Sequence, residues 1–209
     1  MYATNDLRTE HRAIERMLVV LDAAAQRLEQ GERVRPEVFR QAVDFVRNFA
    51  DRCHHGKEEQ NLFPRMETRG VPREGGPIGV MLFEHEQGRS YMRAIAAAID
   101  DYEADGLLGA GIIAENARGY VDLLRGHIAK EDGVLFPMAD RVLTPADQAE
   151  LEQSFERIET EVMGPGVHER YHRLLDDLER EMGLVGPTLR ADTLPTSKGD
   201  CCSCVSWTG

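Results

Sequence analysis

The sequence predicts an all-α protein. It reads as an antiparallel, up-down four-helix bundle (residues 1–143), two extra C-terminal helices (144–182) and a Cys-containing tail of disordered composition (183–209). Three observations carry this. Apolar residues recur in steps of three and four along four long stretches, the spacing of one buried helix stripe. No window sustains the period-two alternation of a strand. Gly and Pro gather at a few points, so connections are short, as in an up-down bundle.

Each element has its own justification. Asn5 is a candidate N-cap for a first helix that runs to Gly31, a natural stop. Leu7, His11, Ile14, Leu18, Leu21, Ala25 and Leu28 form its stripe. Pro36 suits the first turn of a second helix reaching about Thr68. TRGVPREGGP (68–77) is a loop by composition, and a third helix follows to about Asp105. A fourth, from about Leu108 to Arg141, carries Ile113, Ala117, Tyr120, Leu124, His127, Glu131 and Leu135 on one stripe. Thr144-Pro145 supplies N-cap and first residue of a fifth helix, broken at Gly164-Pro165-Gly166, and a short sixth spans 167–182.

Composition excludes several classes of partner. The 209 residues include 25 basic and 37 acidic side chains, for a net charge of -12. Nucleic acid and anionic membranes both need concentrated Lys and Arg, so neither is an expected partner. The N-terminus MYATNDLRTEHR has charge where a signal peptide is apolar, and no run nears the ~18 apolar residues of a membrane span. The expectation is a cytoplasmic monomer or small homo-oligomer.

The chain writes one line twice. HHGKEEQNLFPRM begins at His54 and HIAKEDGVLFPMA at His127. They share His, Lys at +3 (Lys57, Lys130), Glu at +4 (Glu58, Glu131), an acid at +5 (Glu59, Asp132) and Leu-Phe-Pro at +8 to +10. Upstream of each, a Glu-His pair opens the unit: Glu10-His11 lies 43 residues before His54, and Glu84-His85 lies 42 before His127. Each bundle helix thus sets one histidine on its apolar stripe. Residues four apart share a helix face, so His54 with Glu58, and His127 with Glu131, point at one interior spot. Unpartnered buried carboxylates are costly. Two of them among four imidazoles are explained directly by bound metal: this donor set suits iron, manganese or zinc, and carboxylates from two helices can bridge a metal pair. The duplicated Leu-Phe-Pro is expected to seal the bundle and end the helix.

In these residues the sequence resembles the hemerythrin-like, or HHE cation-binding, family. The family pattern of His, His-x-x-x-Glu, His, His-x-x-x-Glu falls on His11, His54 and Glu58, His85, and His127 and Glu131, across roughly residues 5–142. The resemblance implies a non-haem di-iron centre and a small oxidant as partner: oxygen, peroxide or nitric oxide, for sensing, scavenging or detoxification. Turnover would make the protein an enzyme. The alternative is an iron-dependent regulatory or interaction module without turnover. The oxygen-carrying members have a second histidine one turn after the third-helix histidine, where this chain has Arg89. Arginine binds no metal cation, which argues against reversible oxygen transport. Arg89 is expected to pair with Glu15 or with a ligand carboxylate. Oxygen-carrying members use an aspartate where Asp132 stands; the internal alignment sets Glu131 opposite Glu58 and favours Glu131. His55, paired with Glu59, competes with His54; the same alignment favours His54 and leaves His55 and Glu59 as additional or supporting residues, with the surface a further option for His55.

Other features are assigned bland roles. Cys53 is read as a small core residue, and Tyr120 as a packed phenol with one hydrogen bond. Glu169-x-x-His172, with His168, has the form of a ferritin-like ligand pair but occurs once. Cys201, Cys202 and Cys204 crowd the tail, where a soft metal, a disulfide or redox exchange are the functional options.

Overall fold

The structure, a computed structural model, describes residues 2–105 and 107–184. Cys201, Cys202 and Cys204 lie outside the described residues. Six helical elements follow one another, with no strand among the described residues. They are α1 (Thr4–Glu29), α2 (residues 36–68), α3 (Pro77–Asp105), α4 (residues 107–142), α5 (residues 145–163) and α6 (Val167–Glu181). Gly31 closes α1 in the left-handed conformation (φ 76°) that a side chain would resist. Asn5 is not the cap: α1 begins at Thr4 with no side-chain cap. The N-terminus is held instead by α5, whose Gln148 Oε1 accepts from the Ala3 N–H at 2.9 Å.

Helices α1 and α3 both pack on α4, and α2 packs on α3. Gly119 allows close approach of α3 and α4, since a Cβ there would lie 2.6 Å from the Tyr91 ring. The core is two apolar clusters. One gathers Ile14, Leu18, Phe45, Phe49, Ile95 and Leu124. The other gathers Leu7, Leu62, Phe63, Met81, Leu135 and Phe136. Each of α1 to α4 contributes to both clusters; on α1, α2 and α3 the stripe histidine falls between the two contributions, and on α4 His127 lies at the boundary, beside Ile128, the last residue of the first cluster on that helix. A polar layer is thus sandwiched between apolar ones.

Helices α2 and α4 are not uniform. Val46–His55, Glu58–Leu62 and Glu131–Leu135 are wound as π-helix, and α-helix resumes at Phe63–Thr68 and Phe136–Val142. This corrects the expectation that Leu-Phe-Pro ends the helix. Pro64 and Pro137 sit in the first turn of the resumed α-segments, where a missing N–H is tolerated. Such i→i+5 turns are uncommon and gather at functional sites.

Helix α5 starts in a capping box: Thr144 Oγ1 accepts from the Asp147 N–H, and Asp147 Oδ2 accepts from the Thr144 N–H at 2.8 Å. Asp147 also pairs with Arg65 and Arg69 at the end of α2, tying the extension to the preceding helices. Thr144→Ala is expected to cost about 1 kcal/mol. The check is a lowered urea midpoint with unchanged slope.

Candidate metal centre

The four stripe histidines meet in pairs. His11 Nε2 lies 3.1 Å from His54 Nε2, and His85 Nε2 lies 3.1 Å from His127 Nε2. Two carboxylates stand between the pairs, and each divides itself. Glu58 places Oε1 3.6 Å from His54 Nε2 and Oε2 3.4 Å from His85 Nε2. Glu131 places Oε2 3.2 Å from His11 Nε2 and Oε1 3.2 Å from His127 Nε2. All six side chains are at most 1% exposed. Two adjacent donor groups result, His11–His54–Glu58–Glu131 and His55–Glu58–His85–His127.

His55 lies within the second group and is buried, which corrects the surface option and agrees with its place as an additional donor or supporting residue. Its ring stacks on His85 with centroids 3.8 Å apart, and Nδ1 lies 3.3 Å from Asp51 Oδ1. The physical reason is the π-helical turn. In a regular α-helix neighbouring side chains diverge by about 100°; the looser winding of residues 46–55 brings His54 and His55 onto one broad inner face. Nothing in the apolar periodicity signals that winding. The third helix has Arg89 where oxygen carriers have a further histidine, and His55 from α2 supplies an imidazole to that side instead.

Every stripe histidine is oriented through its second ring nitrogen. Asp132 Oδ1 is 2.8 Å from His11 Nδ1, and Glu59 Oε1 is 2.7 Å from His85 Nδ1. Glu10 Oε2 is 2.9 Å from His54 Nδ1, and Glu84 Oε2 is 2.9 Å from His127 Nδ1. A carboxylate at Nδ1 fixes the tautomer that leaves Nε2 free to bind. Lys57 and Lys130 then pair with Glu10 and Glu84. The repeated Glu before each first histidine and the Lys at +3 thus support the second histidine of their own unit, and the acid at +5 supports the first histidine of the opposite unit. Sequence reasoning noted the repetition and gave Glu10, Glu84, Lys57 and Lys130 no role. Asp132 supports rather than joins either donor group. The Phe63 and Phe136 rings stack on His85 and His11, at 6.0 and 5.4 Å.

Other expectations fare differently. Arg89 pairs with Asp51 and Glu59, at 2.7 and 2.6 Å. It does not meet Glu15, which pairs with Arg12 at the surface because residue 15 falls off the buried stripe of α1. Tyr120 is buried, but its hydroxyl lacks the expected hydrogen-bond partner. Cys53 is buried, and burial pushes its thiol up to about 12, so it is a neutral thiol at pH 7. Glu169 and His172 are exposed and form no site. His168 instead faces Cys53, with Nε2 3.8 Å from Sγ, beside Glu10. The Lys57 ammonium, 2.5 Å from Glu10, already supplies a cation there.

The electrostatics of the inner pair test whether metal fits. Both oxygens of Glu58 and Oε1 of Glu131 are buried without a hydrogen-bond donor. Burial, then the charge of Glu131, push the Glu58 carboxyl well above the usual range. Burial also works against Glu131, but His127 and His11 outweigh it and hold that carboxyl well below the range. Burial lowers His54 to about 4, whereas at His127 the carboxylates of Glu131 and Glu84 overcome burial and raise it to about 9. Donor-starved carboxylate oxygens among free Nε2 atoms match what divalent cations require.

Comparison with known proteins agrees with this chemistry. A family model described as the hemerythrin HHE cation binding domain matches residues 2–139. Uncharacterized proteins of Mycobacterium tuberculosis and Mycobacterium bovis are 24% identical over 182 residues, which cover 87% of this chain and 71% of theirs. No solved structure matches. No helix among the described residues is long and apolar enough to cross a membrane.

Proposed function

Because this chain belongs to the hemerythrin HHE cation-binding family, we propose that its polar layer holds two iron ions and that the pair binds or reacts with oxygen, peroxide or nitric oxide. The observation that supports this best is the division of Glu58 and Glu131, each with one oxygen in either histidine pair. In this reading His11 and His54 would hold one ion and His85, His127 and His55 the other, with Glu58 and Glu131 available to both. Residues 1–143 form an up-down four-helix bundle around them, in a cytoplasmic protein.

Bound iron would supply one-electron redox chemistry and an open position for the oxidant. The protein does the rest. Four carboxylates at Nδ1 aim the imidazoles. The apolar layers, with Phe63 and Phe136 against the histidines, keep bulk water out. Zinc or manganese accepts the same donors, so the test is metal content with a visible spectrum of the reduced protein before and after oxidant. About two irons per chain, with a band that responds to oxidant, is the expected result. One zinc and no spectral change would remove the redox reading.

Metal uptake is expected to release protons. His127, raised to about 9, is protonated at pH 7 in the metal-free chain and must lose that proton to bind, and burial beside Glu131 pushes the Glu58 carboxyl in the same direction, toward its protonated form. An unbuffered titration at pH 7 should therefore release protons, at least about one per chain from His127. The sign follows from His127: its folded value exceeds the ordinary 6.5, so its ion pairing stabilises the metal-free fold fully below 6.5 and is lost as pH rises through about 9. Affinity for metal should rise over that interval.

A regulatory reading has one observation in its favour. Lys57 joins Glu10, which orients His54, to Glu159 of α5. Metal loading could thus be felt by the C-terminal extension. Steep loss of helicity on chelation, with no consumption of peroxide or nitric oxide, would favour it over turnover.

A further inference from the structure

We propose that the cleft beside His55 is a binding site for a small aryl carboxylate. The cleft, of about 320 Å³, opens between α2, α3 and α4 and meets the metal-centre histidines at His55. Its size lies at the lower end of small-molecule sites, which run from ~300 to ~1,000 Å³. Val46, Met92 and Tyr120 supply apolar wall, all at most 5% exposed.

Two polar groups in this cleft lack partners. The Tyr120 hydroxyl is buried with no hydrogen-bond partner, and burial, then the charge of Asp51, push the phenol upward, so it remains a donor. A buried hydroxyl left unmatched is costly, and native structures seldom keep one without use. At the rim stand Arg47, Arg89 and Arg93. Arg89 is committed to Asp51 and Glu59, and Arg93 to Glu86. Arg47 is exposed and has no carboxylate partner among the described residues, in a chain of net charge -12.

An apolar slot with a surplus guanidinium at its mouth and a phenol donor on its wall calls for a compact anion with an apolar body. Arg47 would pair with the carboxylate, as guanidinium geometry favours. The flat body would lie against the Tyr120 ring and Met92, with one carboxylate oxygen as acceptor for the Tyr120 hydroxyl. The occupant would rest against His55 without being a metal ligand. The site therefore goes beyond the function proposed above and stands even if the metals are not iron.

The test is calorimetric titration of the full chain as purified, with benzoate and with benzyl alcohol as neutral match. Benzoate is expected to bind at least tenfold tighter than benzyl alcohol, and Arg47→Gln to abolish that preference. Tyr120→Phe is expected to weaken benzoate by about threefold to tenfold. It removes no existing hydrogen bond, so its fold should be at least as stable as wild type. Benzoate affinity equal in wild type and both variants, or no saturable binding at about 10 mM, overturns the proposal. So does an affinity that vanishes on chelation and ignores Arg47, because the carboxylate would then sit on the metals. Metal content, measured on the same samples, reports separately on the proposed metal centre.

Discussion

Glu58→Gln should lose metal from both positions at once, and yet make the metal-free chain more stable. The two effects have one cause. Glu58 is fully buried, has no hydrogen-bond donor, and sends one oxygen toward each histidine pair. With cations present it neutralises both. Without them it must take up a proton against its ordinary value of 4.5, because burial and Glu131 disfavour its charge. A carboxyl whose folded value is raised destabilises the fold increasingly as pH rises above the unfolded value, so wild type without metal should weaken from pH 4.5 toward neutrality. Glutamine removes that slope. Metal present at a thousand times its dissociation constant adds about 4 kcal/mol of stability, or a midpoint shift on the order of 10 °C in a chain of this length. Thermal unfolding with and without chelator should therefore cross: wild type higher with metal, Glu58→Gln higher without. His55→Ala, which touches one donor group only, should leave about one metal bound. Full metal content in Glu58→Gln would sink the shared-carboxylate reading.

Much of this centre was legible in the residues alone. Periodicity marks a buried stripe, and histidines within four stripes can only meet where those stripes meet. That His11, His54, Glu58, His85, His127 and Glu131 come together as candidate donors was therefore readable from spacing. What escaped was anything that depends on winding rather than period. His55 joins the second group because residues 46–55 follow i→i+5 bonding, which no apolar pattern announces. The same loosened turns let α2 and α4 run through Pro64 and Pro137, where proline suggested a stop. Arg89 was legible as a departure, but its partners were not. Asp51 on α2 lies 38 positions away along the chain, and only the packing of α2 on α3 brings it within 2.7 Å. The supporting contacts are a different case. Glu10, Glu84, Lys57 and Lys130 were visible as repeated letters, and the missing step was to ask what a repeated lysine next to a buried glutamate must do.

Lys57→Met should be among the most damaging substitutions outside the donor residues. Lys57 is fully buried, and its Nζ lies 2.5 Å from both Glu10 Oε1 and Glu159 Oε1. Burial opposes its charge, but Glu10 overcomes that and holds the ammonium above its ordinary range. Glu10 in turn stays ionised despite burial because His54 and Lys57 both favour its charge. Removing the lysine leaves Glu10 as a buried, half-compensated anion bound to His54. Breaking a buried pair in this way typically costs about 3–5 kcal/mol. The two acids should then separate by exposure. Glu159 has a 40% exposed side chain, so Glu159→Gln should cost no more than about 1 kcal/mol. Adding Glu10→Gln to Lys57→Met should restore much of the loss, since it removes the orphaned charge; additive losses would refute the coupling. Urea unfolding of the chelated chain reads all of these without interference from metal. On the metal-loaded chain, Lys57→Met should weaken binding at the His11–His54 side more than at the His85–His127 side. There the corresponding pair, Lys130 with Glu84, has a 44% exposed lysine that water can replace.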